Sequence, residues 1–303
     1  MRLSTSTNGV FYQRGNRYEN FVPVEQCMEE CAAAGFHVMD INCCDNADPG
    51  MSLDRDDWEQ WVSRIARRAE QLGIRFSQSH NPIYNFCHPE KVDRFYWAEE
   101  MTRRSILCAG MLHVNWIVVH AGTSFQNGKI DEKETIQKNL DYYGKMTEFA
   151  VQSGCQGIAV ENMASSPDHS QLCESTQGLI DLVDRFHSEH VGICWDFGHA
   201  HLTREDQVES LRSIGRRLKA THVADNSGKK DDHTLPMLGT VPWERIMPML
   251  RQIDYQGDFT YEIHKYMWNA PACLRPSMLK FAVEVGNYLL KMAEQGDPNG
   301  CVD

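Results

Sequence analysis

Asp196, His199 and His201 follow at once on the apolar run Val191-Gly-Ile-Cys-Trp195. A buried strand that breaks into a carboxylate and imidazoles is a way to deliver ligands, and Asp beside His suits a divalent cation such as Zn, Mn, Co or Mg. The same kind of ending recurs along the chain. Phe36-His-Val-Met-Asp-Ile41 ends at Asn42, Ile74-Arg-Phe-Ser-Gln-Ser at His80, and Trp116-Ile-Val-Val at His120. Gly157-Ile-Ala-Val leads to Glu161, Leu218-Lys-Ala-Thr to His222, and Gly257-Asp-Phe-Thr-Tyr to Glu262. One such residue is more often structural than functional. Six successive units, from His80 to Glu262, each end in a metal-competent residue and form a series that chance placement would soon break. Within it Glu161, Asp196, His222 and Glu262 make an O/O/N/O donor set for one divalent cation, with room for substrate oxygens.

Residues beside that set are candidates for substrate contact. His199 is three places after Asp196 and can ligate the cation or donate to substrate. Asn162 directly follows Glu161, and Lys229, Asp231 and His233 lie in the polar loop after His222. Trp243 and Trp268 can either cover a sugar ring or pack. Trp195 and Phe197 are expected to pack behind Asp196, and His201 to be structural. His264 has no evident role.

The elements that must position these side chains are short apolar runs alternating with helical patterns, which means repeated βα units and a parallel sheet. Strands are expected near residues 2–6, 36–41, 74–80, 116–122, 157–163, 191–196, 218–225 and 257–264. Helices are expected over 24–34, 54–72, 89–112, 132–153, 175–189, 206–215, 242–253 and 277–294. Eight units in 303 residues predict an α/β fold, a single-domain (β/α)8 TIM barrel over residues 1–295 with a frayed tail at 296–303. A doubly wound sheet would want a G-x-G-x-x-G turn after the first strand, and there is none. In a barrel the strands' C-terminal ends share one mouth, so His80, His120, Glu161, Asp196, His222 and Glu262 are expected to meet there.

Composition narrows the partners. The net charge is -12, from 30 Lys and Arg against 42 Asp and Glu. That argues against nucleic acid, whose phosphates are held by clustered cations. Eleven cysteines without a C-x-x-C pair fit reduced thiols in a cytoplasmic protein. No signal core and no membrane-length run is present in the sequence. Helices on a barrel's outer wall can pair, so a homodimer is an open possibility.

Val160-Glu-Asn-Met163, Cys194-Trp-Asp-Phe-Gly-His199, Thr221-His-Val-Ala-Asp-Asn226 and Tyr261-Glu262 together resemble the xylose isomerase-like TIM barrel superfamily. That group includes sugar phosphate isomerases and epimerases, ketose 3-epimerases, inosose dehydratases and zinc-dependent apurinic endonucleases. The resemblance implies a divalent-metal-dependent sugar or sugar phosphate isomerase or epimerase that transfers a proton through a metal-stabilised enediolate. Its cation would sit on Glu161, Asp196, His222 and Glu262, with Glu161 and Glu262 exchanging the proton. The substrate would meet His80, His120, Asn162, His199, Lys229, Asp231 and His233. Two positions depart from the ketose 3-epimerases: Pro167 stands where they carry a second Glu, and Gly228 where they carry an Arg. A sugar or cyclitol dehydratase or lyase on the same metal site is a second implied activity. The apurinic endonucleases imply a third, a trinuclear zinc phosphodiesterase, since His80, His120, Glu161, Asp196, His199, His222, Asp231, His233 and Glu262 match their nine ligand types in order.

Overall fold

The structure, a computed structural model, describes residues 1–11, 21–164 and 171–295. Pro167, His169 and the 296–303 tail lie outside the described residues. In chain order the elements are β1 (Leu3–Ser6), α1 (Asn8–Phe11), α2 (Val24–Ala34), β2 (Val38–Asn42), α3 (Cys43–Asn46), α4 (Trp58–Leu72), β3 (Arg75–His80) and α5 (Phe95–Met111). Next come β4 (Trp116–Val119), the short pair β5 (Phe125–Gln126) and β6 (Lys129–Ile130), α6 (Glu132–Gln152), β7 (Gly157–Glu161) and α7 (Thr176–Asp184). The chain continues through β8 (Val191–Asp196), α8 (Phe197–Thr203), α9 (Gln207–Ile214), β9 (Leu218–His222), α10 (Trp243–Gln252), β10 (Phe259–Tyr261) and α11 (Arg275–Gln295). The large sheet has the strand order β10-β1-β2-β3-β4-β7-β8-β9. Successive strands are neighbours and the last returns to the first, the progression of the expected (β/α)8 fold.

Internal contacts group the chain into two compact units. One takes in Met1–Asp40, Arg68–Arg75 and the described residues from Trp195 on. In it β1 pairs in parallel with β10, setting Ser4 beside Thr260, and with β2, setting Ser6 beside Asp40. A parallel bridge from Val223 to Tyr261 continues β9 against β10. The other unit takes in Ile41–Arg67 and Phe76–Cys194, where β3, β4, β7 and β8 pair in parallel.

The sequence explains these elements locally. Every residue of β7 and of β8 is buried, because parallel strands covered on both faces read as continuous apolar runs. On α2 the buried residues Val24, Cys27, Met28 and Cys31 recur at helical spacing. Gly35 then ends the helix in the left-handed region at φ 114°, its N–H returning to the carbonyls of Cys31 and Ala32. None of the ten described cysteines is disulfide-bonded.

Several expectations shift: the helix expected over 175–189 ends at Asp184, and the short helix α8 follows β8 at once. The helix expected from residue 89 begins at Phe95, behind a 3-10 turn at Pro89–Lys91. The β5–β6 hairpin was not anticipated; Asn127 and Gly128, at φ 51° and 74°, supply its turn. Among the described residues no helix is long and apolar enough to cross a membrane.

Arg275 at the start of α11 forms a forked pair with Glu30 of α2, at 2.9 Å to each carboxylate oxygen. Burial works against the Glu30 charge, but hydrogen bonds from Arg275 and Gln26 outweigh it and lower the carboxyl pKa. A folded-state pKa below the unfolded one means stability present above the ordinary value near 4.5 and lost as pH falls through the folded value. Glu30→Gln is therefore expected to flatten the acid limb of a melting-temperature against pH curve below about pH 5. A limb as steep as the parent's would show that the pair adds nothing there.

Candidate active site

The first unit takes in the last residue of β8, Asp196, and the ends of β9 and β10, where the residues the sequence singles out stand. Asp196 is fully buried, His222 is 1% exposed and Glu262 is 9% exposed. Each offers a ligand atom within 4.8 Å of the others'. Asp196 has a second task. It is the N-cap of α8, its Oδ1 accepting the His199 backbone N–H at 2.6 Å. That turn of helix swings the His199 ring back over the strand end, with Nδ1 3.8 Å from Asp196 Oδ1. Glu262 Oε2 lies 3.6 Å from His222 Nδ1 and 3.6 Å from His233 Nδ1.

A second group forms around His233. Its Nε2 is 2.5 Å from Asp231 Oδ2, and its Nδ1 donates to the Glu262 carbonyl at 2.9 Å. Both ring nitrogens thus face acceptors, the arrangement of an imidazolium. Burial disfavours that charge, but the hydrogen bond to Asp231 and the nearby carboxylates Glu262, Asp231 and Asp196 prevail and raise the His233 pKa. For Asp231 burial is likewise outweighed by the hydrogen bond and charge of His233, which hold its carboxyl at about 2. His199 Nε2 is 3.9 Å from the same Asp231 oxygen, so His199, Asp231 and His233 make a further cluster of ligand atoms. The His264 ring lies 4.0 Å from that of His233. Burial and the neighbouring His233 charge push its pKa down to about 3, so it is neutral.

The loop over residues 226–241 carries Asp231 and His233, and Asp225 fastens it. The Asp225 carboxylate is fully buried and accepts four N–H bonds. Oδ1 takes the backbone of Asn226 at 2.8 Å and of Val241 at 3.0 Å; Oδ2 takes the backbone of Met237 and the Trp243 indole, each at 2.8 Å. Gly239 is required because a Cβ there would stand 2.2 Å from Asp225 Oδ1. Asp225→Ala would orphan three buried donors and the half-buried Met237 N–H, and is expected to destabilise the fold by about 3–5 kcal/mol. Urea unfolding checks this; a loss below about 1 kcal/mol would show the loop held by other means.

In the second unit β3, β4 and β7 bring His80, His120 and Glu161 together. His120 Nε2 is 3.1 Å from Glu161 Oε2, and His80 Nε2 is 3.1 Å from His120 Nε2 and 3.4 Å from Glu161 Oε2. His80 Nδ1 lies 2.9 Å from the Asn81 carbonyl, so it carries the proton there and turns the Nε2 lone pair to the cluster. Tyr143 donates its hydroxyl to the His120 carbonyl. Asn162, 3% exposed, directs its backbone N–H to the Cys194 carbonyl.

Other expected residues play different parts. Asn42 caps α3, accepting the Asp45 N–H at 2.8 Å. Trp243 is 1% exposed and spends its N–H on Asp225, so it packs and does not cover a ring at the mouth. Trp195 packs as expected, bonded to Gln207. Lys229 is exposed, and His201 bonds Thr240 at 2.8 Å. Asn8 was missed: it follows β1 and places Nδ2 3.5 Å from Glu262 Oε1. The run at residues 2–6 is followed by Thr7, so no acid, amide or imidazole at the strand end itself marks the place.

The xylose isomerase-like TIM barrel family matches residues 28–280. The protein y4fM of Sinorhizobium fredii is 38% identical over 237 residues, 72% of this chain and 75% of that one. D-psicose 3-epimerase of Enterocloster bolteae is 23% identical over 249 residues, 79% and 76% of the two chains. A probable endonuclease 4 of Acholeplasma laidlawii is 23% identical over 186 residues, 56% and 61%. Among solved structures, a D-psicose 3-epimerase determined in the presence of D-fructose aligns with a TM-score of 0.73 at 14% identity, covering 96% of this chain and 99% of that one.

Proposed function

Because the chain belongs to the xylose isomerase-like TIM barrel family, we propose that it is a divalent-cation-dependent sugar or sugar phosphate isomerase or epimerase. The observation that carries this reading is the buried Asp196, His222 and Glu262 set, with ligand atoms within 4.8 Å of one another. Two carboxylates and an imidazole are the hard O and N donors that Mn, Co, Mg or Zn accepts. Two buried carboxylates so close also call for a positive charge between them. Glu161 is assigned as the fourth donor.

When bound, the cation supplies a Lewis acid that grips neighbouring substrate oxygens and offsets the charge that develops as a proton leaves. The protein's own groups do the rest. Glu161 and Glu262 take the proton from the carbon beside the carbonyl and return it to the other face or the adjacent carbon. The N–H of His199 is assigned to a substrate oxygen, and His80, His120, Asn162, Asp231 and His233 are assigned to line the substrate, with Lys229 reaching in from its loop. Gly228 offers no side chain where ketose 3-epimerases carry Arg, so the reading stops short of 3-epimerisation.

The test is deuterium exchange. Ketoses and keto-cyclitols incubated with Mn2+-loaded protein in heavy water should gain deuterium at a carbon next to the carbonyl. No exchange at any such carbon sinks the reading, and net loss of water would move it to a dehydratase.

The His199, Asp231 and His233 cluster, together with the His80, His120 and Glu161 contacts, favours one other reading, a trinuclear zinc phosphodiesterase. Elemental analysis separates the two. About three zinc ions per chain with cleavage of abasic DNA would carry the second, and a single cation the first.

A further inference from the structure

We propose that Asn8 is a substrate-contacting, specificity-determining residue: its N–H holds one oxygen of Glu262 while its own oxygen receives a substrate hydroxyl. The inference rests on the isomerase or epimerase reading and names what that site demands of its substrate.

Asn8 sits two residues past the end of β1, and β1 runs beside β10 with Thr5 paired to Tyr261. The next residue of the partner chain segment is Glu262, so the two side chains emerge together. Asn8 is 3% exposed and Glu262 9%. The separation from Asn8 to Glu262 Oε1 is 3.5 Å. A carboxylate only accepts, so the amide must turn its nitrogen to Glu262. Such bonds are often long before substrate binds and tighten in the complex.

Two consequences follow. The oxygens of Glu262 acquire different neighbours: Oε2 faces the imidazoles of His222 and His233, and Oε1 faces Asn8. The carboxylate is thereby split into an oxygen on the cation-binding side and an oxygen beside the amide. The second consequence concerns Asn8 Oδ1, which points away from Glu262. It is buried and has no hydrogen-bond partner among the described residues. Leaving a buried acceptor unmet is costly, so its place in a binding site is explained by a ligand that donates to it.

The donor is a hydroxyl. A keto oxygen has no proton to give, and a phosphate dianion has none either. The position next to Glu262 sets which hydroxyl: one on a carbon adjoining the proton that Glu262 transfers. The main chain around Asn8 is braced for this, with the Thr7 N–H on the Asp40 carbonyl at 3.0 Å and Ser6 Oγ donating to Asp40 Oδ1 at 3.0 Å. A fixed backbone keeps the amide in register with the carboxylate.

The test compares the parent with Asn8→Leu and Asn8→Asp. D-fructose, D-tagatose, L-ribulose and their monodeoxy analogues are the probes, and deuterium exchange gives kcat and KM. Mn2+ titration and thermal melting are measured alongside. The parent should discriminate against one monodeoxy analogue, and Asn8→Leu should lose about tenfold in kcat/KM for the full sugar and lose that discrimination. Its Mn2+ affinity should hold and its melting temperature should hold or rise, since an unmet buried acceptor is gone. Asn8→Asp keeps an acceptor but no N–H, so kcat should fall with discrimination retained. Full discrimination by Asn8→Leu, or a loss of activity that only tracks weaker Mn2+ binding or lower melting, overturns the inference while the isomerase reading stands. A parent that exchanges no proton with any probe removes both.

Discussion

Glu161→Gln should lower deuterium exchange at the substrate carbon by about 10²–10⁴-fold, the range for removing a positioned general acid or base. Glutamine keeps the shape of the side chain and an acceptor oxygen. The His120 Nε2 contact, 3.1 Å in the parent, can therefore persist, as can the 3.4 Å approach of His80. What is lost is a group able to carry the proton. Glu161 is 1% exposed in an all-buried strand, so no water-accessible carboxylate stands ready beside it on β7. Exchange followed by NMR, with a thermal melt as control for folding, decides the matter. Parent-like exchange from a folded Glu161→Gln protein would take Glu161 out of the chemistry. Glu262→Gln serves as the companion, since the two carboxylates are assigned to opposite ends of one proton transfer.

Asp196 gives the second large effect, and two substitutions separate its tasks. As N-cap of α8 it accepts the His199 N–H at 2.6 Å. Asparagine caps as well as aspartate, whereas alanine forfeits about 0.5–2 kcal/mol. As a cation ligand it contributes charge, which asparagine lacks. Asp196→Asn is thus expected to melt near the parent without metal and yet to bind Mn2+ weaker by well over the 10–100-fold that follows loss of a supporting partner. Cation at about 100 times its Kd should add about 2.7 kcal/mol to the parent. That increment should vanish from Asp196→Asn and Asp196→Ala, and only Asp196→Ala should lose stability without metal. An Asp196→Asn protein that keeps the full metal-dependent rise in melting temperature would remove Asp196 from the ligand set.

The sequence was readable where physics is local. β7 and β8 announce themselves as apolar runs ending in Glu161 and Asp196, because parallel strands bury both faces. His120 was legible for the same reason, closing the run Trp116–Val119, whereas His80 and His222 close strands with polar members, Ser77, Gln78 and Ser79 in one and Lys219 and Thr221 in the other. The β5–β6 hairpin was overlooked although Asn127-Gly128 marks it; its two-residue strands are too short to show alternation. α8 was hidden because the ligand motif is also the helix start, with Asp196 read for its charge and not for its cap.

Long-range contacts were out of reach. Nothing near Trp243 in the chain says that its indole ends on Asp225, so its sequence setting fits a ring over a sugar as well as the buried indole of the fold. The pairing of Asn8 with Glu262 joins residues 254 positions apart, and only the β1–β10 register brings them together. His264 acquires a setting only once the His233 ring lies against it.

The Asp225 fastening bears on how this protein can diverge. Three of its four donors are main-chain N–H groups, which every residue but proline supplies. Side chains at most places on the loop can therefore change while its course stays fixed. Met237 and Leu238, 47% and 56% exposed, are such places. Gly239, pressed against the carboxylate, is not. The outward-facing side chains of the loop can thus drift from descendant to descendant with Asp231 and His233 kept at their posts throughout.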